Sequence, residues 1–115
     1  KDNVVKDKSL EFAVRIVNLY KFLVNEQKEF VMSKQILRSG TSIGANIREA
    51  EQAQSRADFI NKLNIALKEA NETEYWLELL IRTEYITREQ YESINNDSTE
   101  INKLLISIIK TTKNN

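Results

Sequence analysis

Two groups of polar side chains have a spacing that could build a site inside a helical protein. Ser42, Asn46 and Glu49 follow one another at intervals of four and three residues, which places them on one face of a helix. The second group crowds the middle of a later candidate helix and consists of Lys68, Glu69 and Glu72. A buried polar group without a partner costs about 1–3 kcal/mol, so a network joining the two groups would specify one helix alignment. We interpret the groups first as such a structural network.

A carboxylate metal site is the alternative chemistry for these glutamates. Sites of that kind in helical bundles combine inward glutamates with a Glu-x-x-His motif, and this chain has no histidine. It also has no cysteine, so thiolate metal sites and thiol nucleophiles are excluded. We therefore expect no catalytic residue, no metal, no cofactor and no enzymatic activity. Contact with a ligand or with nucleic acid stays open for the polar groups.

Aromatic and basic residues offer a second kind of site, one that binds nucleic acid. Tyr75 and Trp76 could stack on bases, but glutamates surround them, and packing or a subunit contact is favoured. The most basic strip of the sequence consists of Lys34, Arg38 and Arg48, and these residues are the possible nucleic-acid contact. Since 17 basic and 17 acidic residues balance to a net charge of zero, these cations are more simply explained as solvated surface.

The elements that position these residues are expected to be helices. The chain has no proline and only two glycines in 115 residues, and 41% of it is apolar, which suffices for one domain over residues 1–115. Hydrophobic spacing predicts helices over about 6–24, 29–53, 56–82 and 88–110. Ser55 with Asp58, and Thr87 with Gln90, have the spacing of helix-starting caps. Short connections between long helices predict an antiparallel, up-down-up-down four-helix bundle.

The first helix is apolar over more of its circumference than one bundle can cover. This excess predicts burial against a neighbouring subunit as well as against the helix's own bundle. The candidates for the oligomer interface are Phe12, Tyr20, Phe22 and Trp76.

Gly40 and Gly44 stand one turn apart within the second predicted helix. Each costs about 1 kcal/mol of helix propensity relative to alanine, so we expect them to permit close packing of another helix. The long helix that begins near Asp58 is expected to supply that partner. A phosphate-binding loop is disfavoured, because no Gly-Lys-Ser/Thr follows and no strand precedes.

Several of these motifs resemble a known family. Ser42-Ile43, Asn46-Ile47 and Glu49, followed by Asp58-Phe59 and by the segment 69–77, resemble the four-helix-bundle proteins encoded in intervening sequences of bacterial 23S rRNA genes. The similarity covers about residues 8–109, and the chain has Ala50 where that family usually has glycine. The resemblance implies a closed homopentamer.

Accessory proteins of diversity-generating retroelements, which bind a reverse transcriptase and nucleic acid, are similar too. Those relatives are strongly basic and this chain is neutral. We therefore expect a non-enzymatic, oligomeric, cytoplasmic scaffold that engages itself and a protein partner, with no membrane span. The alternative is an RNA- or DNA-binding accessory protein of an rRNA intervening sequence or a retroelement, and we expect any nucleic-acid binding to be weak.

Overall fold

Four long helices account for most of the chain. The computed structural model describes residues 3–115, in which α1 spans Asn3–Asn25, α2 Met32–Ala50, α3 Arg56–Arg82 and α4 Arg88–Lys113. Each helix packs on its neighbours in the order α1, α2, α3, α4, and α4 closes back on α1. The four-helix bundle predicted from the sequence is confirmed, and it measures 47 × 21 × 19 Å.

The starts of α3 and α4 are capped as their sequences predict. The Ser55 hydroxyl accepts a hydrogen bond from the backbone N–H of Asp58 at 3.1 Å. At α4 the Thr87 hydroxyl accepts from the Gln90 N–H, and the Gln90 side chain accepts from the Thr87 N–H. These bonds satisfy N–H groups that the first turn of a helix leaves without a partner, so the two starts are set locally.

The second helix is shorter than its predicted span of 29–53. It begins at Met32 because Lys28, at φ 54°, turns the chain and Glu29 folds its carboxylate over the first turn. That carboxylate accepts from the N–H groups of Val31, Met32 and Ser33 at 2.7–3.1 Å. The helix ends at Ala50, after which Glu51 and Gln52 make a turn. The other helices differ from prediction by three residues or fewer at either end.

The core is built from heptad-spaced positions of all four helices. In α1 the buried positions alternate in steps of three and four residues, as in a coiled coil. The fully buried large side chains include Ile16, Leu23, Ile36, Ile43, Leu77, Leu80 and Leu105. Close packing along these rows explains why the helices lie side by side along the whole bundle.

The two glycines of α2 face α1, not α3. A Cβ atom placed on Gly40 would lie 2.7 Å from Cγ1 of Ile16, and one on Gly44 would lie 3.3 Å from Oγ of Ser9. The expectation that the helix beginning near Asp58 supplies the close partner is therefore wrong. The bare backbone of α2 admits the side chains of α1 instead.

Candidate interaction surfaces

The first helix carries two parallel rows of apolar residues. The inner row belongs to the core and comprises the apolar residues Val5, Phe12, Ile16, Leu19 and Leu23 with the buried Ser9 among them. The second row, which we call the outer seam, comprises Leu10, Ala13, Val17, Tyr20 and Val24. Its members also follow one another in steps of three and four residues, the spacing by which a helix presents a continuous seam to another helix. Leu10 is 51% exposed and the others are partly exposed, so nothing within residues 3–115 covers this row fully.

A shallow groove runs beside the outer seam, between α1 and α2. Leu10 and Ala13 form one wall, and Thr41, Gly44 and Ala45 form the other, around a volume of about 200 Å³. The small side chains of α2 make the groove, since alanine and glycine leave the space that larger residues would fill. We call the outer seam and this groove together the α1–α2 face.

The three basic residues predicted to contact nucleic acid do not form one free strip. Arg38 pairs with Glu69 at 3.2 Å and also with Glu72, so its guanidinium is engaged within the chain. Lys34 and Arg48 are exposed and have no ion-pair partner among the described residues. Only these two cations of the predicted strip are available to a partner, and each lies about two helical turns from Thr41, one on either side along α2.

The aromatic pair of α3 lies at the surface beside this ion pair. Tyr75 is 59% exposed, and its ring meets that of Trp76 edge to face with centroids 5.1 Å apart. The indole N–H of Trp76 donates to Oε2 of Glu72 at 3.0 Å. The hydrogen bond from Arg38, followed by that from Trp76, lowers the pKa of Glu72 below its ordinary value. Trp76 is thus held in place by its own helix and by α2, while Tyr75 faces outward.

The predicted polar network is not assembled as expected. Ser42 donates to the carbonyl of Arg38, and Asn46 donates to the carbonyl of Ser42, so both bond to their own helix. Glu49 pairs with Lys62 at 2.9 Å, and Lys68 is exposed without an ion-pair partner in the part of the chain that the structure describes. The expectation that the two groups meet is wrong, because Arg38 and Lys62 bridge α2 and α3 instead.

Buried polar contacts occur elsewhere, at residues not singled out from the sequence. Thr73 and Ser39 lie fully buried, with their hydroxyl oxygens 2.9 Å apart, and join α2 to α3. Glu74 accepts from Ser98 at 2.9 Å and from Asn102 at 2.7 Å and joins α3 to α4. Their position in the sequence is the feature that predicts burial. Ser39 lies on the heptad row of Ile36 and Ile43, and Ser98 lies on that of Ile94 and Ile101.

The proposed interface residues of α1 have different environments. Phe12 is 1% exposed and lies in the core, so the expectation that it contacts another subunit is wrong. It borders a small cavity together with Asp97 and Ile101 of α4. Phe22 is partly exposed and lines an open groove of about 480 Å³ between α1 and α4. Tyr20 is partly exposed on the outer seam and remains at the surface.

Two classes of site are not found in the described residues. Among residues 3–115, no three histidine, cysteine, aspartate or glutamate side chains are grouped so that they could hold a metal ion. None of the helices in that range is both long and apolar enough to cross a membrane.

Comparison with known proteins agrees with the four-helix architecture. A crystal structure of a protein from the S23 ribosomal protein family of Bacteroides thetaiotaomicron VPI-5482 is similar to this chain with a TM-score of 0.91 and 98% sequence identity. The match covers 94% of this chain and 93% of that one, and that protein is described as having unknown function. No curated protein matches. The model of the 23S rRNA-intervening sequence proteins matches residues 1–107, and the chain therefore belongs to that family.

Proposed function

We propose that the protein is a non-enzymatic helical scaffold that assembles with copies of itself and presents the assembly to a macromolecular partner. The observation that carries this proposal is the outer seam of α1. Five apolar positions recur there at coiled-coil spacing, the seam residue Leu10 is 51% exposed, and Val14 beside the seam is 54% exposed. Contiguous exposed apolar surface on a folded domain is typical of protein contact sites.

The polar groups support a structural role rather than a catalytic one. Acid–base or nucleophilic chemistry needs a base and a nucleophile that converge on a cleft. Here the carboxylates of Glu49, Glu69 and Glu72 are engaged by cations of neighbouring helices. The side chain of Glu29 caps a helix. These groups stabilise helix positions, and the grooves beside them are open to solvent.

The number of subunits comes from the family resemblance, which implies a pentamer. Sedimentation equilibrium at micromolar concentration tests it, and we expect a mass five times that of the 13.4 kDa chain. A mass of 13.4 kDa at every concentration would contradict the scaffold proposal. A mass equal to another multiple of 13.4 kDa would change the number of subunits but would still support self-assembly.

A nucleic-acid accessory role is the second candidate. It is favoured by Lys34 and Arg48, which are exposed and have no ion-pair partner within residues 3–115. Repetition around an oligomer would multiply such weak contacts, because linked sites act at a high effective concentration. The two roles differ in salt dependence, since binding through phosphates weakens steeply as ionic strength rises.

A further inference from the structure

We infer that the cleft between α1 and α4 binds a helical segment of a partner protein, one that is apolar on one side and basic at its edges. The inference rests on the proposed function, since it assigns the surface by which the scaffold holds its macromolecular partner. It depends on the length, the charge and the position of the cleft.

The cleft is long because two open grooves meet. Their volumes are about 480 Å³ and about 450 Å³, and both are lined by Phe22, Ile86 and Gln90. We call the two together the α1–α4 groove. It follows α1 from Arg15 to Gln27, just beyond the end of the helix, over about 18 Å. A bound helix of about three turns has this length.

Hydrogen bonds join the two walls at both ends of the α1–α4 groove. At one end Arg15 donates to Oδ2 of Asp97 at 2.7 Å and to Oγ of Ser93 at 2.9 Å. At the other end the side chain of Gln27 donates to the carbonyl of Tyr85 at 3.1 Å. The groove is therefore already formed in the free chain, and a preformed surface binds a partner at a lower cost in ordering.

The floor of the groove is apolar. Ile86 and Ile94 lie at its base, each 6% exposed, and Leu19 and Phe22 of α1 remain partly exposed above them. Apolar side chains of a partner would remove this remaining surface from water, which favours binding.

The free charge of the groove lining is negative. Both arginines that line it are engaged, since Arg15 is held by α4 and Arg88 pairs with Glu92 at 3.7 Å. Glu84 and Glu89 also line the groove, and neither has an ion-pair partner within residues 3–115. These two carboxylates are complementary to lysine or arginine side chains of a partner.

The other charged residues near the groove offset one another. Glu26 and Lys28 stand on either side of Gln27 in the sequence, and Glu11 and Lys21 are both exposed on α1. None of these four charged side chains lines the α1–α4 groove. The charge that a bound segment meets is therefore that of Glu84 and Glu89.

A helix suits this groove better than an extended chain. Residues 3–115 form four helices and no strand, so the groove offers no strand edge that could pair with an extended backbone. A helix satisfies its backbone hydrogen bonds internally and lays its apolar side into a groove of this kind.

The α1–α4 groove and the outer seam use nearly opposite sides of α1. Arg15 and Phe22 mark the groove side, and Val17 and Val24 mark the seam side, at 3.6 residues per turn. Self-assembly through the outer seam therefore leaves the groove accessible to a different protein.

A synthetic peptide tests the groove. The probe is a fluorescein-labelled amphipathic helix of about 14 residues, with leucines along one side and lysines at the edges of the leucine stripe. One control peptide has the same composition with its leucines distributed around the helix, and a second has glutamate in place of each lysine. Fluorescence anisotropy measures the dissociation constants.

Substitutions of one groove residue test the role of charge. Asn18 lines the groove and is exposed, so Asn18→Lys and Asn18→Glu should keep the fold, which circular dichroism verifies. The matched controls are Asn61→Lys and Asn61→Glu, at an exposed asparagine of α3 near the opposite end of the bundle.

We expect the wild type to bind the probe at least about tenfold more tightly than either control peptide, because the probe alone combines an apolar stripe with basic edges. Asn18→Lys should weaken binding of the probe by about threefold or more, and Asn18→Glu should strengthen it, since charges at a groove edge have modest effects. Both Asn61 variants should bind as the wild type does. Three results would overturn the inference: no binding of the probe, equal binding of the peptide with distributed leucines, or wild-type affinity in Asn18→Lys.

Light scattering after size-exclusion chromatography tests whether a second copy of the chain occupies the groove instead. A mass of Asn18→Lys below that of the wild type would show such a contact and would contradict the inference. A monomeric wild type that binds the probe refutes self-assembly and leaves the groove assigned. An oligomeric wild type that does not bind the probe refutes only the groove.

Discussion

The side chain of Ile16 lies directly against the bare backbone of Gly40. Two of its carbons, Cγ1 and Cγ2, would stand 2.7 and 2.8 Å from a Cβ atom at that position. Ile16 is fully buried, so its side chain can move only by displacing close-packed core neighbours. This contact determines how closely α1 and α2 can approach.

Gly40→Ala should therefore destabilise the fold. Overpacking of a core contact costs about 1–3 kcal/mol, which exceeds the gain of about 1 kcal/mol in helix propensity. Urea unfolding followed by circular dichroism measures the difference in free energy of unfolding.

Gly44→Ala is the matched control for this substitution. The added Cβ would lie 3.3 Å from Oγ of Ser9 and in ordinary contact with the Ser9 backbone, so a small shift accommodates it. We expect Gly44→Ala to lower the free energy of unfolding by at least about 1 kcal/mol less than Gly40→Ala does. Equal effects at both glycines would contradict the assigned contact.

Glu29 should contribute to stability as the cap of α2. The residue at the N-cap position, Val31, has no side chain that can accept, so the carboxylate of Glu29 alone satisfies three N–H groups of the first turn. Glu29→Ala leaves those donors without a side-chain partner, at a cost of about 1–3 kcal/mol. Glu29→Gln keeps one acceptor oxygen and should lose less. Glu26→Gln, at an exposed position of the same loop, should leave the urea midpoint unchanged.

The Arg38–Glu72 contact predicts a pH dependence of stability. Because the folded protein lowers the pKa of Glu72, the ionised carboxylate stabilises the fold above its ordinary pKa of 4.5. That contribution is lost as the pH falls below 4.5 through the lowered pKa of the folded state. The Glu72 side chain is 36% exposed, so the effect should be no larger than about 1 kcal/mol.

Urea unfolding at pH 7 and pH 3 measures this effect in the wild type and in Glu72→Gln. The variant should lose less stability on acidification than the wild type. Glu78→Gln, which removes an exposed pair with Arg82, should behave nearly as the wild type. Fluorescence of Trp76, the single tryptophan, should also respond to Glu72→Gln, since its indole donates to that carboxylate. Identical pH profiles for all three proteins would disprove the assignment.

Nucleic-acid binding should be weak at physiological salt. Each phosphate contact contributes through counterion release, and in this neutral chain Arg38 is already held by two glutamates. Fluorescence anisotropy with single-stranded RNA and duplex DNA at two salt concentrations measures the affinity. Submicromolar binding near about 150 mM salt that is lost in the double variant Lys34→Ala, Arg48→Ala would reverse the order of the two candidate functions. Lys103→Ala, an exposed position on α4, is the control.

The sequence by itself determined the helices and the starts of two of them. Heptad spacing and the caps at Ser55 and Thr87 depend on residues within one turn of each other, so they are readable without knowledge of the rest of the chain. The same local periodicity showed that α1 is apolar on more than one side. It could not separate the inner row from the outer seam, which is why Phe12 was assigned to the surface and not to the core.

Tertiary structure decided which side chains meet. The rotation and axial position of each helix follow from packing of the whole core, and a small change in either brings a different long side chain into reach. Arg38 therefore contacts Glu69 and Glu72, whereas Ser42 and Asn46 do not. For the same reason Gly40 packs against Ile16 of α1. Contacts between residues far apart in the chain depend on this three-dimensional arrangement, because spacing along one helix contains no information about the rotation of the next.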